Sequence, residues 1–94
     1  MLFVIHCIDA PEGAALRDKM RPDHVVHVRS QPVAVKLAGP LLDGAGAPVG
    51  SMVVIEAEDL ATAKAFVQAD PYNQAGVYRR YEIHAWGVPA SKLA

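Results

Sequence analysis

Ninety-four residues, 52% hydrophobic and 20% charged, allow one thin-cored globular domain and exclude a disordered chain. Nine Lys and Arg stand against ten Asp and Glu, a net charge of -1, and no stretch gathers basic residues with aromatics. That balance argues against nucleic acid as a partner.

The single cysteine, Cys7, cannot form an intramolecular disulfide and fits a reduced, cytoplasmic setting. No run approaches the ~18 apolar residues of a membrane span. Met1 to Ile8 is apolar but lacks a basic start and reaches His6 and Asp9 too early for a signal peptide. The expectation is a soluble single domain over 1–94, with no membrane partner.

Leu2 to Ile8 is dense in strand formers and stops at Asp9-Ala10-Pro11. It reads as a buried strand with Leu2, Val4, His6 and Ile8 on one face and Phe3, Ile5 and Cys7 on the other. Asp9 and Pro11 then signal a helix start, and Ala14, Ala15, Leu16, Lys19 and Met20 favour a helix from Pro11 to about Met20. Pro22 is expected to break it. A second helical segment from His24 to Arg29, weakened by Val25, Val26 and Val28, would follow, ending at Ser30-Gln31-Pro32.

Val33 to Ala38 is the second predicted strand, closed by Gly39-Pro40, with Leu41 and Leu42 as an optional extension. Asp43 to Pro48 has the small and turn-forming residues of a hairpin loop, and Ser51 to Ala57 is the third strand. Asp59 can cap a helix carrying Leu60, Ala63, Phe66 and Val67 on one face. Asp70-Pro71-Tyr72 ends that helix, and a turn over Asn73 to Gly76 leads to the last strand, Val77 to Gly87. There Tyr81, Ile83 and Ala85 should share one face and Tyr78, Arg80, Glu82, His84 and Trp86 the other. Val88 to Ala94 reads as a loose tail.

This order is βαββαβ, the ferredoxin-like plait of the α+β class, built on a four-stranded antiparallel sheet. Two helical regions cover one face of such a sheet. The other face is too apolar for water and is expected to meet a second copy of the chain.

Four histidines, His6, His24, His27 and His84, are the groups most easily poised near neutral pH. Asp23 adjoins His24, and Asp70 precedes Pro71. A carboxylate on one ring nitrogen would set a histidine's tautomer and stabilise its cation, and Asp70 could serve His24 in this way where the two helices meet. Asp70-Pro71 is equally a good cap and first residue for a short helical turn over Tyr72 to Ala75. His24 and His27, three apart, would share a helix face, but HExxH, CxxC and acidic calcium loops are absent, so no metal or other cofactor is expected. Cys7 reads as an inert core thiol.

Met1-Leu2-Phe3-Val4-Ile5, Arg21-Pro22-Asp23-His24, Ala38-Gly39-Pro40, Ala69-Asp70-Pro71-Tyr72 and Ala75-Gly76-Val77-Tyr78 together resemble the YCII-related (YciI-like) family of small bacterial proteins. The resemblance runs from about Met1 to Trp86. It implies a dimeric α/β barrel similar to the muconolactone isomerase group. It also implies a site in which His24 and Asp70 pair as catalytic base and orienting carboxylate. The best-supported chemistry in the wider family so resembled is dehydrohalogenation of a chlorinated hydroxyquinol. The segment between His24 and Gly39 is shorter than is common in that family, and His6 replaces a frequent aromatic.

The resulting expectation is a cofactor-independent enzyme performing isomerisation, elimination or dehalogenation on a small cyclic or aromatic molecule. Gly39 and Pro40 would admit substrate close to the backbone, and Tyr72 and His6 would shape the pocket. The alternative is a non-catalytic homodimeric module that binds a ligand or a protein.

Overall fold

The computed structural model describes residues 1–30 and 33–87. Strand β1 (Leu2–Asp9) is followed by helix α1 (Gly13–Ser30), strands β2 (Ala34–Leu42) and β3 (Pro48–Glu56), helices α2 (Leu60–Ala69) and α3 (Pro71–Gln74), and strand β4 (Tyr78–Ala85). The strands form one antiparallel sheet in the order β2-β3-β1-β4. This is the ferredoxin-like α+β plait. No described helix is long and apolar enough to cross a membrane. The predicted tail from Val88 to Ala94 lies outside the described residues.

β1 behaves as its alternation dictates. Phe3, Ile5 and Cys7 are buried under the helices, while Leu2, Val4, His6 and Ile8 are only half-buried on the opposite face. Phe66, Val67 and Ala63 of α2 join the first set and Ile55 of β3 in the core. Asp59 caps α2, its carboxylate accepting from the Thr62 amide at 2.8 Å. Leu60, expected on the buried face, is half-exposed at the first turn.

Three sequence expectations are corrected. α1 runs unbroken through Pro22. Pro22 is exposed, so the Asp18 carbonyl that it leaves unpaired lies on the solvent side, and α1 is tied to the rest of the molecule on both sides of the proline. β2 does not close at Gly39-Pro40 but takes up Leu41 and Leu42, the extension that the sequence left optional. It is an edge strand, where a residue without an amide hydrogen costs no ladder bond.

Tyr78 is the third. Residues Tyr81, Ile83 and Ala85 face the helices, opposite Cys7, Ile5 and Phe3. A bulge then makes Tyr78, rather than Arg79, the partner of Asp9. One extra residue swaps the faces, so Tyr78 turns under the helices and is buried, instead of sharing the outer face with Arg80, Glu82 and His84.

Gly50 is the tighter of the two glycines in the sheet. A Cβ there would lie 2.4 Å from the Cys7 carbonyl oxygen, whereas one on Gly39 would meet nothing within 4 Å. Gly50→Ala should therefore lower the unfolding free energy by about 1–3 kcal/mol. Gly39→Ala should stay within about 0.5 kcal/mol of the native chain. Urea denaturation monitored by circular dichroism measures both.

Candidate functional site

α2 and α3 cover the β1 and β4 side of the sheet. α1 does not fill the space over β2 and β3, and a cavity of about 350 Å³ remains there. That volume suits a small substituted ring. Arg17, Arg21, His24, Val25 and Val28, at helical spacings of three and four, form its α1 wall. Pro40, Ser51 and Val53 form its floor, and Tyr72 closes one end.

Asp70 sits where the chain leaves α2 and starts α3. Its backbone is extended (φ -64°, ψ 124°), and it closes one helix while capping the next. Its Oδ1 accepts from the Tyr72 amide at 2.9 Å. The same oxygen lies 2.8 Å from Nδ1 of His24. Capping and histidine pairing, alternatives in the sequence, are thus both present in the structure, on one buried atom.

An ionised carboxylate only accepts, so the bond places the neutral ring's hydrogen on Nδ1 and its lone pair on Nε2. Nε2 has no partner among the described residues. The imidazole lies flat on the Tyr72 ring, with centroids 3.8 Å apart and planes 2° apart. Two constraints therefore set its plane and its tautomer. Burial, chiefly, pushes the Tyr72 phenol above its ordinary range, so it stays protonated.

A second polar cluster, missed in the sequence, lies under the other end of the cavity. Arg17 is buried and forks onto Asp9, with Nε 2.7 Å from Oδ2 and Nη2 2.9 Å from Oδ1. Nη2 also reaches the Gly50 carbonyl at 2.7 Å and the Ser51 hydroxyl at 2.8 Å. Burial opposes the charge on this guanidinium, but the bonds to Asp9 and its negative charge outweigh that and raise its pKa further. Tyr78 donates to Ser51 Oγ at 3.1 Å, and burial, chiefly, holds its phenol protonated. The only sequence signal for this cluster is the helical register shared by Arg17 and His24, seven apart.

Gly39 and Pro40 line the cavity. The open space beside Gly39 means that the fold itself does not demand glycine there. His6 does not reach the cavity. It is on the outer face of β1, between Met52 and Glu82, with the sheet separating it from His24. His84 shares that outer face and is exposed. His27 is buried and donates from Nε2 to the Phe66 carbonyl at 2.9 Å, tying α1 to α2. Asp23 is exposed. Among the described residues no three His, Cys, Asp or Glu side chains come together as a metal site.

A ferredoxin-like plait with a histidine–carboxylate pair at a cavity beside its first helix defines a class of small cleft proteins. The YCII-related domain matches residues 1–87. Protein YciI of Escherichia coli O6:H1 and that of Shigella flexneri are each 35% identical over 91 residues, covering 88% of this chain and 93% of theirs. The chain belongs to the YciI family.

Among solved structures, 5-chloro-2-hydroxyhydroquinone dehydrochlorinase of Burkholderia phenoliruptrix AC1100, in complex with 2,5-dihydroxybenzoquinone, is similar with a TM-score of 0.80 and 24% identity. The likeness covers 93% of this chain and 94% of that one. A Bacteroides thetaiotaomicron protein assigned to the antibiotic biosynthesis monooxygenases aligns with a TM-score of 0.62 and 15% identity, over 100% of this chain and 93% of its own. These two share the fold.

Cys7 is a buried thiol in the core beside the site. Burial, and then the Asp70 charge, push its thiol from 9.0 up to about 12. The unfolded chain therefore loses this proton first. The thiol's contribution to stability is complete below pH 9 and is lost as the pH rises towards 12, at about 1.4 kcal/mol per pH unit. Urea denaturation at a series of alkaline pH values should show the native chain weakening more steeply than Cys7→Ala.

Proposed function

We propose that this protein is a small enzyme that moves a proton on a cyclic or aromatic molecule held in the α1 cavity, with His24 as general base and acid. The observation that carries this reading is the 2.8 Å contact between His24 Nδ1 and the buried Asp70 carboxylate, at the wall of a cavity large enough for a ring. Asp70 keeps the lone pair on Nε2 and stabilises the imidazolium that forms when Nε2 takes a proton. Tyr72 holds the ring flat. Gly39 and Pro40 bound the substrate on the β2 side.

Isomerisation, elimination and dehalogenation need little beyond a positioned base and a water-poor pocket. The dehydrochlorinase among the structural relatives supports the last of these as the first reaction to try. Chloride release from 5-chloro-2-hydroxyhydroquinone, and deuterium exchange from solvent into cyclic β-diketones, are the assays. His24→Gln should lower the rate by about 10²- to 10⁴-fold. Asp70→Asn, which keeps a cap for α3 but not the charge, should lower it less and leave stability nearly intact. Rates unchanged in His24→Gln would end this reading and favour a non-catalytic ligand-binding module.

We further infer that a second copy of the chain covers the outer sheet face. Leu37 and Met52 are exposed there beside the half-buried Val4 and Ile8. An apolar sheet face of this kind is costly in water. Sedimentation should give a dimer for the native chain and a monomer for Met52→Glu.

A further inference from the structure

Hydrogen-bond counting at the other end of the cavity leaves donors over. Arg17 engages Asp9, Gly50 and Ser51 through Nε and Nη2 alone. Nη1, with two hydrogens, has no acceptor among the described residues, yet no buried side-chain atom there lacks a partner, so Nη1 is open to the cavity that Arg17 lines. Ser51 Oγ accepts from both Arg17 Nη2 and Tyr78. A phenol is the stronger donor of two hydroxyls, so Tyr78 gives its hydrogen to Ser51 and not the reverse. Nη2 has two hydrogens for three acceptors and shares one of them, and the Ser51 hydrogen, with no acceptor among the described residues, is free to turn to the cavity whose floor Ser51 forms.

We propose that Arg17 Nη1 and the Ser51 hydroxyl form an oxyanion cradle, which takes the carbonyl or phenolate oxygen of a ring substrate. This rests on the reading of His24 as the base and adds the substrate's chemical class to it. The His24 imidazole lies 3.8 Å and Arg17 Cζ 5.3 Å from the centre of the same Tyr72 ring, which keeps the two groups within about 9 Å of each other. That is the span of one substituted ring with a hydrogen-bonded oxygen at one end and a transferring proton at the other.

In the step so assembled, His24 Nε2 bonds to a proton as the ring C–H bond breaks. The C–H electron pair becomes a C=C bond, and the carbonyl π pair moves onto the oxygen. The charge that develops there meets a fixed cation and a hydroxyl in a buried site, where such donors count for more than in water. Return of the proton to another carbon completes an isomerisation. Alternatively, the carbonyl re-forms as a leaving group departs from the adjacent carbon with its electron pair. No oxidant or reductant is required. Around the cavity Arg17, Arg21 and Arg29 balance Asp9, Asp18 and Asp70, so the pull on an oxyanion is local: Asp9 engages Nε and Nη2 of the guanidinium and Asp70 engages His24, which leaves Nη1 facing the cavity.

The test uses 4-nitrophenol, whose phenolate is coloured, and neutral 4-nitroanisole as its control. The native protein should bind the phenolate at least tenfold more tightly than the anisole and shift its ionisation to lower pH. Ser51→Ala, in which Arg17 keeps Asp9 and Gly50, should weaken the phenolate about tenfold and leave the anisole unchanged. Should Ser51→Ala fail to fold, the Arg17 Nη1 resonances of the native protein decide, since they should move on addition of phenolate and not of anisole.

His24→Gln should still bind the phenolate. If it does while turnover is unaffected, the base assignment fails and the cradle stands. Equal binding of the two probes overturns the cradle. So does phenolate binding that survives Ser51→Ala, or that is lost only in His24→Gln.

Discussion

The site depends on how α1 is attached to the sheet. Few of its side chains pack on the core: Leu16 and Met20 do, but its buried side chains are those of Arg17 and His27. Hydrogen bonds set its position at three levels, through Arg17 to Asp9, Gly50 and Ser51, through His24 to Asp70, and through His27 to the Phe66 carbonyl. A buried ion pair such as Arg17–Asp9 adds little net stability over an apolar pair, because desolvation offsets its attraction. What it does is fix one docking, since any slip would strand a charge. A helix held by fixed-length polar bonds and not by a full apolar ridge leaves space beneath it, and that space is the cavity.

Asp70 shows how one local rule serves two ends. Pro71 cannot extend α2, so the chain turns and restarts as α3, and the restart needs a cap. The carboxylate that fills this need is thereby buried, oriented and placed against α1. Any side chain opposite it must be able to donate, and His24 does. Tyr72, two residues on, is carried by the same turn under the imidazole. The geometry of the pair is therefore inherited from helix capping, and the proposed catalysis adds no strain of its own.

The sheet divides labour between its faces. Under the helices lie the core, the paired carboxylate and the Arg17–Ser51–Tyr78 network. The outer face carries His6, Glu82 and His84 among apolar neighbours and takes no part in the cavity. Tyr78 belongs to the first group only because of a single inserted residue, and without it the Ser51 hydroxyl would lose the donor that leaves its own hydrogen free.

Features that repeat at short range were legible in the sequence. The faces of β1 follow from alternation, the start of α2 from Asp59, and the α3 turn from Asp70-Pro71, because each depends on neighbours a few residues away. The His24–Asp70 pair could be raised from the order of the helices, but only the family resemblance favoured it over simple capping, since no spacing rule links groups 46 residues apart. Helix continuity at Pro22 was not legible, and strand continuity past Pro40 only as an option, because each turns on whether the lost hydrogen bond faces water. Nor could alternation foresee the bulge that reverses Tyr78. Sequence alone determined the order of elements and the chemistry available to them. Tertiary structure decided which polar groups are buried together and which donors are left over, because that depends on the distances between segments remote along the chain.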